Sequence, residues 1–337
     1  MLHRLFLSVI NKITVAAVFL SVSFYASAGT GSAMRSQFHT GVNDVVNKIL
    51  NGADSDIRSW TMAVALFLAA VTAFVYFWKF VENGSAVLEL LTLAVMFIFT
   101  LTLVGTYTTV VDTISGAFAG IANEMQRLAL GDTSPDFFTS FVEDVVTKAI
   151  SAPSVDISSG MNMIGVALMW EVCSAVLEVA IYLADVWIDV GTAVAKVTGI
   201  LFIPLLVSPA TRAIFDGWFK FFIGWGLAGI VLKVTSIVTM VMIRASINAA
   251  GQFKKGGVTE AVPDIITGKN TVVGVLQVTG DNINLLKDIC AYSIIAAIMV
   301  FSCFIFAFMI GAGVGSTSQG LNNMAVKIAK KAAKALI

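Results

Sequence analysis

Charged side chains come at long intervals along this chain, and between Ile289 and Val326 there are none in thirty-eight consecutive positions. About 20 apolar residues suffice to carry a helix across the roughly 30 Å hydrocarbon layer of a bilayer, at about 1.5 Å of rise per residue. Runs of this kind predict spans at Trp60–Trp78, closed by Lys79, and at Leu90–Val111, entered past Glu89. Three more follow at Gly160–Val190, at Phe221–Ile243 around Lys233, and at Ile289–Ala312. Trp60 and Trp78 bracket the first span as aromatic belts do at the two interfaces. Val197–Thr211 is also apolar, but fifteen residues containing Pro204 and Pro209 are too few and too broken for an ordinary crossing. They predict a short bent or re-entrant element. The fold class that follows is an all-α polytopic membrane protein with five spans, since irregular backbone facing lipid would leave its polar groups unpaired.

The polar stretches set the threading. Arg4 and Lys12 precede or open an apolar run, Ile13–Tyr25, and Ala26-Ser27-Ala28 fits an A-x-A cleavage pattern, so 1–28 reads as a signal peptide or a retained signal-anchor. Either keeps the positive end in the cytoplasm and puts 29–59 in the periplasm, which suits a bacterial inner membrane. After the first two spans (60–111), the connection 112–159 holds Asp112, Glu124, Asp132, Asp136, Glu143, Asp144 and Asp156 against only Arg127 and Lys148. Lys and Arg are enriched in cytoplasmic loops, so this one is assigned to the periplasm, with helices expected at 114–130 and 135–150. A central membrane region (160–243) leads to a second periplasmic connection (244–288) with Gly256, Gly257 and Pro263, and then to the last span (289–315). The tail, 316–337, carries Lys327, Lys330, Lys331 and Lys334 on one helical face opposite Ile328, Ala332 and Leu336. A basic amphipathic helix soon after a span is a cytoplasmic topology signal, and it is also a candidate docking face for a cytoplasmic partner.

Composition narrows the function. Hydrophobic residues make up 58% and charged residues 12%, and 21 Lys and Arg balance 21 Asp and Glu, so there is no basic field to attract nucleic acid. Cys173, Cys290 and Cys303 are too few and too scattered for a disulfide framework or zinc site, and His3 and His39 build no ligand cluster. No phosphate-binding loop, zinc-protease motif or nucleophile elbow occurs. Gly224-Trp225-Gly226-Leu227-Ala228-Gly229 has the letters of a dinucleotide fingerprint but follows no strand and falls inside an apolar helix. Its small residues instead suit close helix contact, as do Gly116 with Gly120 and Gly311 with Gly315, and they suggest self-association. The chain is not expected to be an enzyme, and no cofactor or metal is expected beyond structural phospholipids.

Two groups of charge stand out. Glu171, Glu178, Asp185 and Asp189 are spaced by seven, seven and four, which places all four on one helical stripe. Such a stripe cannot face lipid tails; it lines an aqueous space, meets another subunit, or belongs to a helix partly outside the bilayer. Lys233 lies near the middle of its apolar run and is expected to pair with Glu178 or Asp185. A stand-alone ion or solute transporter using these groups is the alternative reading, weakened by the lack of an internal repeat.

The segment from Gly199 through Pro204, Ser208, Pro209, Thr211, Arg212, Phe215, Asp216 and Gly217 to Trp218 resembles the central signature of the TrbL family. These are the polytopic inner-membrane subunits of type IV secretion systems, including the sixth protein of the VirB series. Physically, the prolines break the helix, Arg212 and Asp216 stand at i, i+4 and can pair, and Trp218 can anchor at an interface. The resemblance implies a non-enzymatic scaffold and channel subunit that forms a homo-oligomer at the base of the secretion stalk. It implies as partners pilin, the minor pilin at the pilus tip, other inner-membrane subunits, separate ATPases, and the DNA or protein in transit.

Overall fold

Helices form where the apolar runs predict them, and most of them begin before those runs. The computed structural model describes residues 28–52, 56–83, 87–131, 150–151, 161–249, 255–263, 270–277 and 283–336. The signal at 1–27 and nearly all of the helix expected at 135–150 lie outside the described residues. In chain order the elements are α1 (Ala28–Asn51), α2 (Ile57–Asn83), α3 (Val87–Gly105), α4 (Tyr107–Leu130), β1 (Ile150–Ser151), α5 (Met161–Phe202), a 3-10 turn (Ile203–Leu206), α6 (Arg212–Ala249), β2 (Lys255–Pro263), β3 (Asn270–Gln277), α7 (Ile283–Ala312) and α8 (Thr317–Leu336). Among the described residues, five stretches are long and apolar enough to cross a membrane: Ile57–Glu82, Val87–Gly105, Leu168–Leu206, Arg212–Ile243 and Leu286–Ala332. This is an all-α polytopic membrane protein in its spans.

The boundaries shift for identifiable reasons. The second span ends at Gly105, six residues before the expected Val111, because the helix bends there: Thr106 has φ −104° and ψ 12° and stands between α3 and α4. Threonines along this stretch turn their hydroxyls back on the carbonyl four residues earlier, Thr100 on Met96 (2.9 Å), Thr102 on Ile98 (2.9 Å) and Thr106 on Thr102 (2.8 Å). That back-bonding bends helices. The fifteen-residue element expected at 197–211 is divided, since α5 continues through Phe202 and only 203–211 departs from α-helix. Between the spans, the connection at 244–288 adds strands that the sequence reading omitted. β2 pairs antiparallel with β3 (Thr259 opposite Gly274, Pro263 opposite Asn270), with an irregularity between Lys255 and Thr259, where Gly256 and Gly257 lie. β1 joins β3 in parallel, giving the order β1-β3-β2.

The chain forms two compact units. The first comprises 1–40, 134–179 and 242–297 and contains the small sheet. In it Cys173 and Cys290 are both buried free thiols. The second comprises 41–133, 180–241 and 298–337. Its core gathers Met96, Val104, Tyr107, Ile200, Ile203, Leu206, Phe215, Trp218, Phe222, Trp225 and Ala325. The tail helix α8 packs on α3 within this unit. Thr61, Ala65 and Thr72 mark the covered face of α2, and the rest of that helix is left for lipid or another chain.

At the end of α4 the Arg127 guanidinium donates to both oxygens of Glu124, and the Gly131 N–H donates to the Arg127 carbonyl (2.8 Å) from a φ of 73° that suits glycine. Arg127 holds the Glu124 carboxyl below the usual range. A carboxylate with a depressed folded pKa adds stability above its unfolded pKa, and that stability is lost as pH falls through the lower folded value. The last turn of α4 is therefore expected to fray on acidification. Amide exchange at residues 127–131 should rise in acid relative to a Glu124→Gln chain, in which the pH-dependent part is absent.

Candidate functional site at the proline turn

The residues from Gly199 to Trp218 are brought together with α4 and α8 in one cluster inside the second unit. Trp218, buried at 7% exposure, is its centre. Its ring stacks on Phe222 (5.8 Å, 9°) and Phe202 (6.5 Å, 18°) and meets Phe215, Phe219 and Tyr107 at tilted angles. Its indole Nε1–H donates to the Ala195 carbonyl at 2.9 Å, and the Tyr107 hydroxyl donates to the next carbonyl, of Lys196. Both rings can approach the α5 backbone because residue 199 is glycine. A Cβ there would fall on the Trp218 ring and the Tyr107 hydroxyl. Gly199→Ala is therefore expected to cost about 1–3 kcal/mol by overpacking, read as a lowered unfolding midpoint in detergent. An unchanged midpoint would refute this packing.

Arg212 and Asp216 do not turn toward each other, contrary to the i, i+4 expectation. Arg212 Nε donates to the Leu206 carbonyl (2.9 Å) and Nη1 to Asn322 Oδ1 on α8 (2.7 Å). Asp216 Oδ2 accepts from the hydroxyls of Ser316 and Ser318 (both 2.6 Å), and Oδ1 from the Ser318 N–H (2.7 Å). The reason lies in the helix ends. α6 begins at Arg212, so the guanidinium finds carbonyls freed by the 3-10 turn, while the carboxylate meets the N–H groups left open at the start of α8. One signature thus clamps two segments about a hundred residues apart. Thr211 closes the turn by donating its hydroxyl to the Leu205 carbonyl (2.7 Å). Pro204 is buried, whereas Pro209 and Gly217 are exposed.

The small residues act inside the chain. A Cβ on Gly311 would sit 3.1 Å from the Gly224 Cα, one on Gly224 would press on Phe308, and one on Gly226 would enter the Phe118 ring. Gly229 makes ordinary contact only, and Gly116, Gly120 and Gly315 meet nothing within 4 Å. Gly224, Gly226 and Gly311 are therefore used for packing within the chain. Gly191, not foreseen, makes room for Trp225. Also unforeseen is an ion pair from Lys196 Nζ to Asp112 Oδ1 at 2.9 Å. It was missed because each residue ends or precedes an apolar run and was read as a boundary.

Of the acidic stripe on α5, Asp185 and Asp189 are half-buried and Glu178 is exposed; the Glu171 side chain lies outside the described residues. Lys233 is half-buried on α6. Glu178, Asp185, Asp189 and Lys233 each take part in a polar or electrostatic contact. Lys327, Lys330, Lys331 and Lys334 are all exposed on α8. The apolar side of that helix differs from expectation: Ala325 and Ala329 are buried, and Ile328 is 45% exposed. Small residues let α8 pack closely on α3, which a bulkier isoleucine face would prevent. Among the described residues no group of His, Cys, Asp and Glu could hold a metal ion. Every polar group of the clamp described above has a partner within the chain, so what it can do is fasten helices.

The sequence of this region decides the family. Residues 67–278 match the TrbL/VirB6 plasmid conjugal transfer protein family, more than half of the chain and the whole of the clamp except α8. The chain belongs to that family. It is a multi-pass membrane component of conjugal transfer. A comparison with curated proteins finds no match. Within the TrbL/VirB6 chain, Trp218 and its neighbours are thus the packing centre of the matched region.

Proposed function

We propose that this TrbL/VirB6 chain is an inner-membrane scaffold and channel subunit of a type IV secretion apparatus. It forms a homo-oligomer at the base of the stalk and supports pilus assembly and the passage of DNA or protein. Its mature N-terminus is periplasmic and its C-terminus cytoplasmic. It works by holding helices in place and carries out no bond chemistry, with ATP hydrolysis left to separate ATPases, and phospholipids are its structural ligands. The observation that carries this reading is the match over 67–278, which contains a turn whose charges are spent on clamping helices. The partners proposed are pilin, the minor tip pilin and the other inner-membrane subunits.

The deciding experiment is crosslinking in intact cells followed by purification in detergent. A ring-sized oligomer carrying pilin-like proteins is the expected result. A monomer that drives solute uptake into liposomes would replace this reading with the transporter alternative. That alternative would use Lys233 and the acidic stripe, which we instead propose to be structural, with Lys233 paired to Asp185. Lys233→Glu should then impair assembly, and adding Asp185→Lys should restore it. Failure of the double variant to recover would remove the pair.

A further inference from the structure

Three observations bear on the depth of the proline turn in the membrane. First, no charged residue lies between Lys196 and Arg212, and the turn exposes Pro209 and Ala210, followed by Ala213 and Ile214. A connection emerging into the cytoplasm would be expected to carry Lys or Arg. Second, Val207 is buried against Ala65 and Leu93, with Leu68, Ala69, Ala73 and Phe97 around it. These residues are near the middle of α2 and α3. Trp60 and Trp78 are eighteen residues apart, about 27 Å of helix, close to one hydrocarbon thickness, and Ala69 is midway between them. Third, Thr211, Arg212 and Asp216 are hydrogen-bonded by the chain itself, as backbone and side chains inside a bilayer must be.

We propose that residues 203–211 lie within the hydrocarbon layer, with Pro209, Ala210, Ala213 and Ile214 against the acyl chains of the inner leaflet. α5 and α6 then enter and leave from the periplasmic side as a re-entrant hairpin. α7 and α8 together make one crossing, broken at 313–316, and Asp216 supplies the acceptor that the broken helix needs inside lipid. This placement takes Asp185, Asp189 and Lys233 out of the layer and leaves inside it Lys196, seven residues before Ile203 and paired with Asp112, and Lys220, eight after Arg212. Asp189 and Asp185 lie fourteen and eighteen residues before Ile203, and Lys233 twenty-one after Arg212. At 1.5 Å per residue they stand about 21, 27 and 32 Å from the turn, beyond a half-layer of about 15 Å. With the turn at the inner surface instead, Asp189 and Asp185 would sit in the roughly 30 Å of lipid. In the other direction Lys334 lies twelve residues past Asn322, about 18 Å and at the depth of the inner phosphates, while Lys327, five residues past it at about 8 Å, has to extend its side chain toward them. The placement holds whether or not the secretion reading does.

The test uses the full chain in native membranes, with its three cysteines replaced by alanine and single cysteines returned. Trp187→Cys, about 24 Å from the turn, should react from the periplasm with a membrane-impermeant maleimide. Ala210→Cys should react from neither side, and a nitroxide there should collide with oxygen far more than with a nickel chelate. Ala332→Cys should react in inverted vesicles. Labelling of Ala210→Cys from the cytoplasmic face, protection of Trp187→Cys, or a nitroxide dominated by nickel collisions would each overturn the proposal.

Discussion

Trp218→Ala should be among the most damaging single changes in the chain. Truncating a buried Trp costs about 3–5 kcal/mol through lost burial and the cavity left behind. Here five aromatic neighbours lose their common partner. Removal also opens the slot that Gly199 keeps clear, so Tyr107 loses the wall that holds it against the Lys196 carbonyl. Trp218→Phe separates the two components of the effect. It keeps a ring between Phe202 and Phe222 but gives up the donor to Ala195, a hydrogen bond worth about 1 kcal/mol net. The measurements are unfolding midpoint in detergent and frequency of conjugal transfer in cells. The Ala variant should lose transfer through loss of folded protein, and the Phe variant should retain most of both. A Trp218→Ala chain with wild-type stability would show that this cluster is not the packing centre.

The spans were legible because each is a long apolar run with few or no charges, and burial in lipid demands little subtler than that. Trp218, Pro204 and the small-residue sites at Gly224, Gly226 and Gly311 were also visible, as residue types whose shape has few other uses inside an apolar helix. What could not be read is which partner each would take. Arg212 and Asp216 satisfy the i, i+4 rule, yet the rule competes with open carbonyls at the turn and open N–H groups at the start of α8, and those unpaired backbone groups win. Their partners at Ser316, Ser318 and Asn322 stand about a hundred positions away, where no local pattern points. Lys196 and Asp112 were hidden for the same reason. The strands at 255–263 and 270–277 were missed because they sit in a polar connection, where the β-branched run Thr271-Val272-Val273 gives too short a signal to stand out.

Asp216→Ala should release α8. Its carboxylate accepts from two hydroxyls and one backbone N–H at 2.6–2.7 Å, and hydrogen bonds to a charged group each contribute about 1.5–3 kcal/mol without adding fully. Removing the carboxylate leaves these donors without their acceptor at a helix start, where neither lipid nor an alanine can supply one. We expect a loss of roughly 3 kcal/mol in the docking of α8, enough to shift it from closed to largely open. Cleavage by trypsin at Lys327, Lys330 and Lys331 should then accelerate while the rest of the chain resists. Asp216→Asn keeps an acceptor but loses the charge, so it should fall between. Arg212→Lys tests the other arm: an ammonium has no planar fork to reach the Leu206 carbonyl and Asn322 together, and it should weaken docking less than Asp216→Ala. If all three variants protected the tail as the wild type does, the alanine packing of α8 on α3 would be sufficient by itself, and the signature would have to be explained by something other than the clamp.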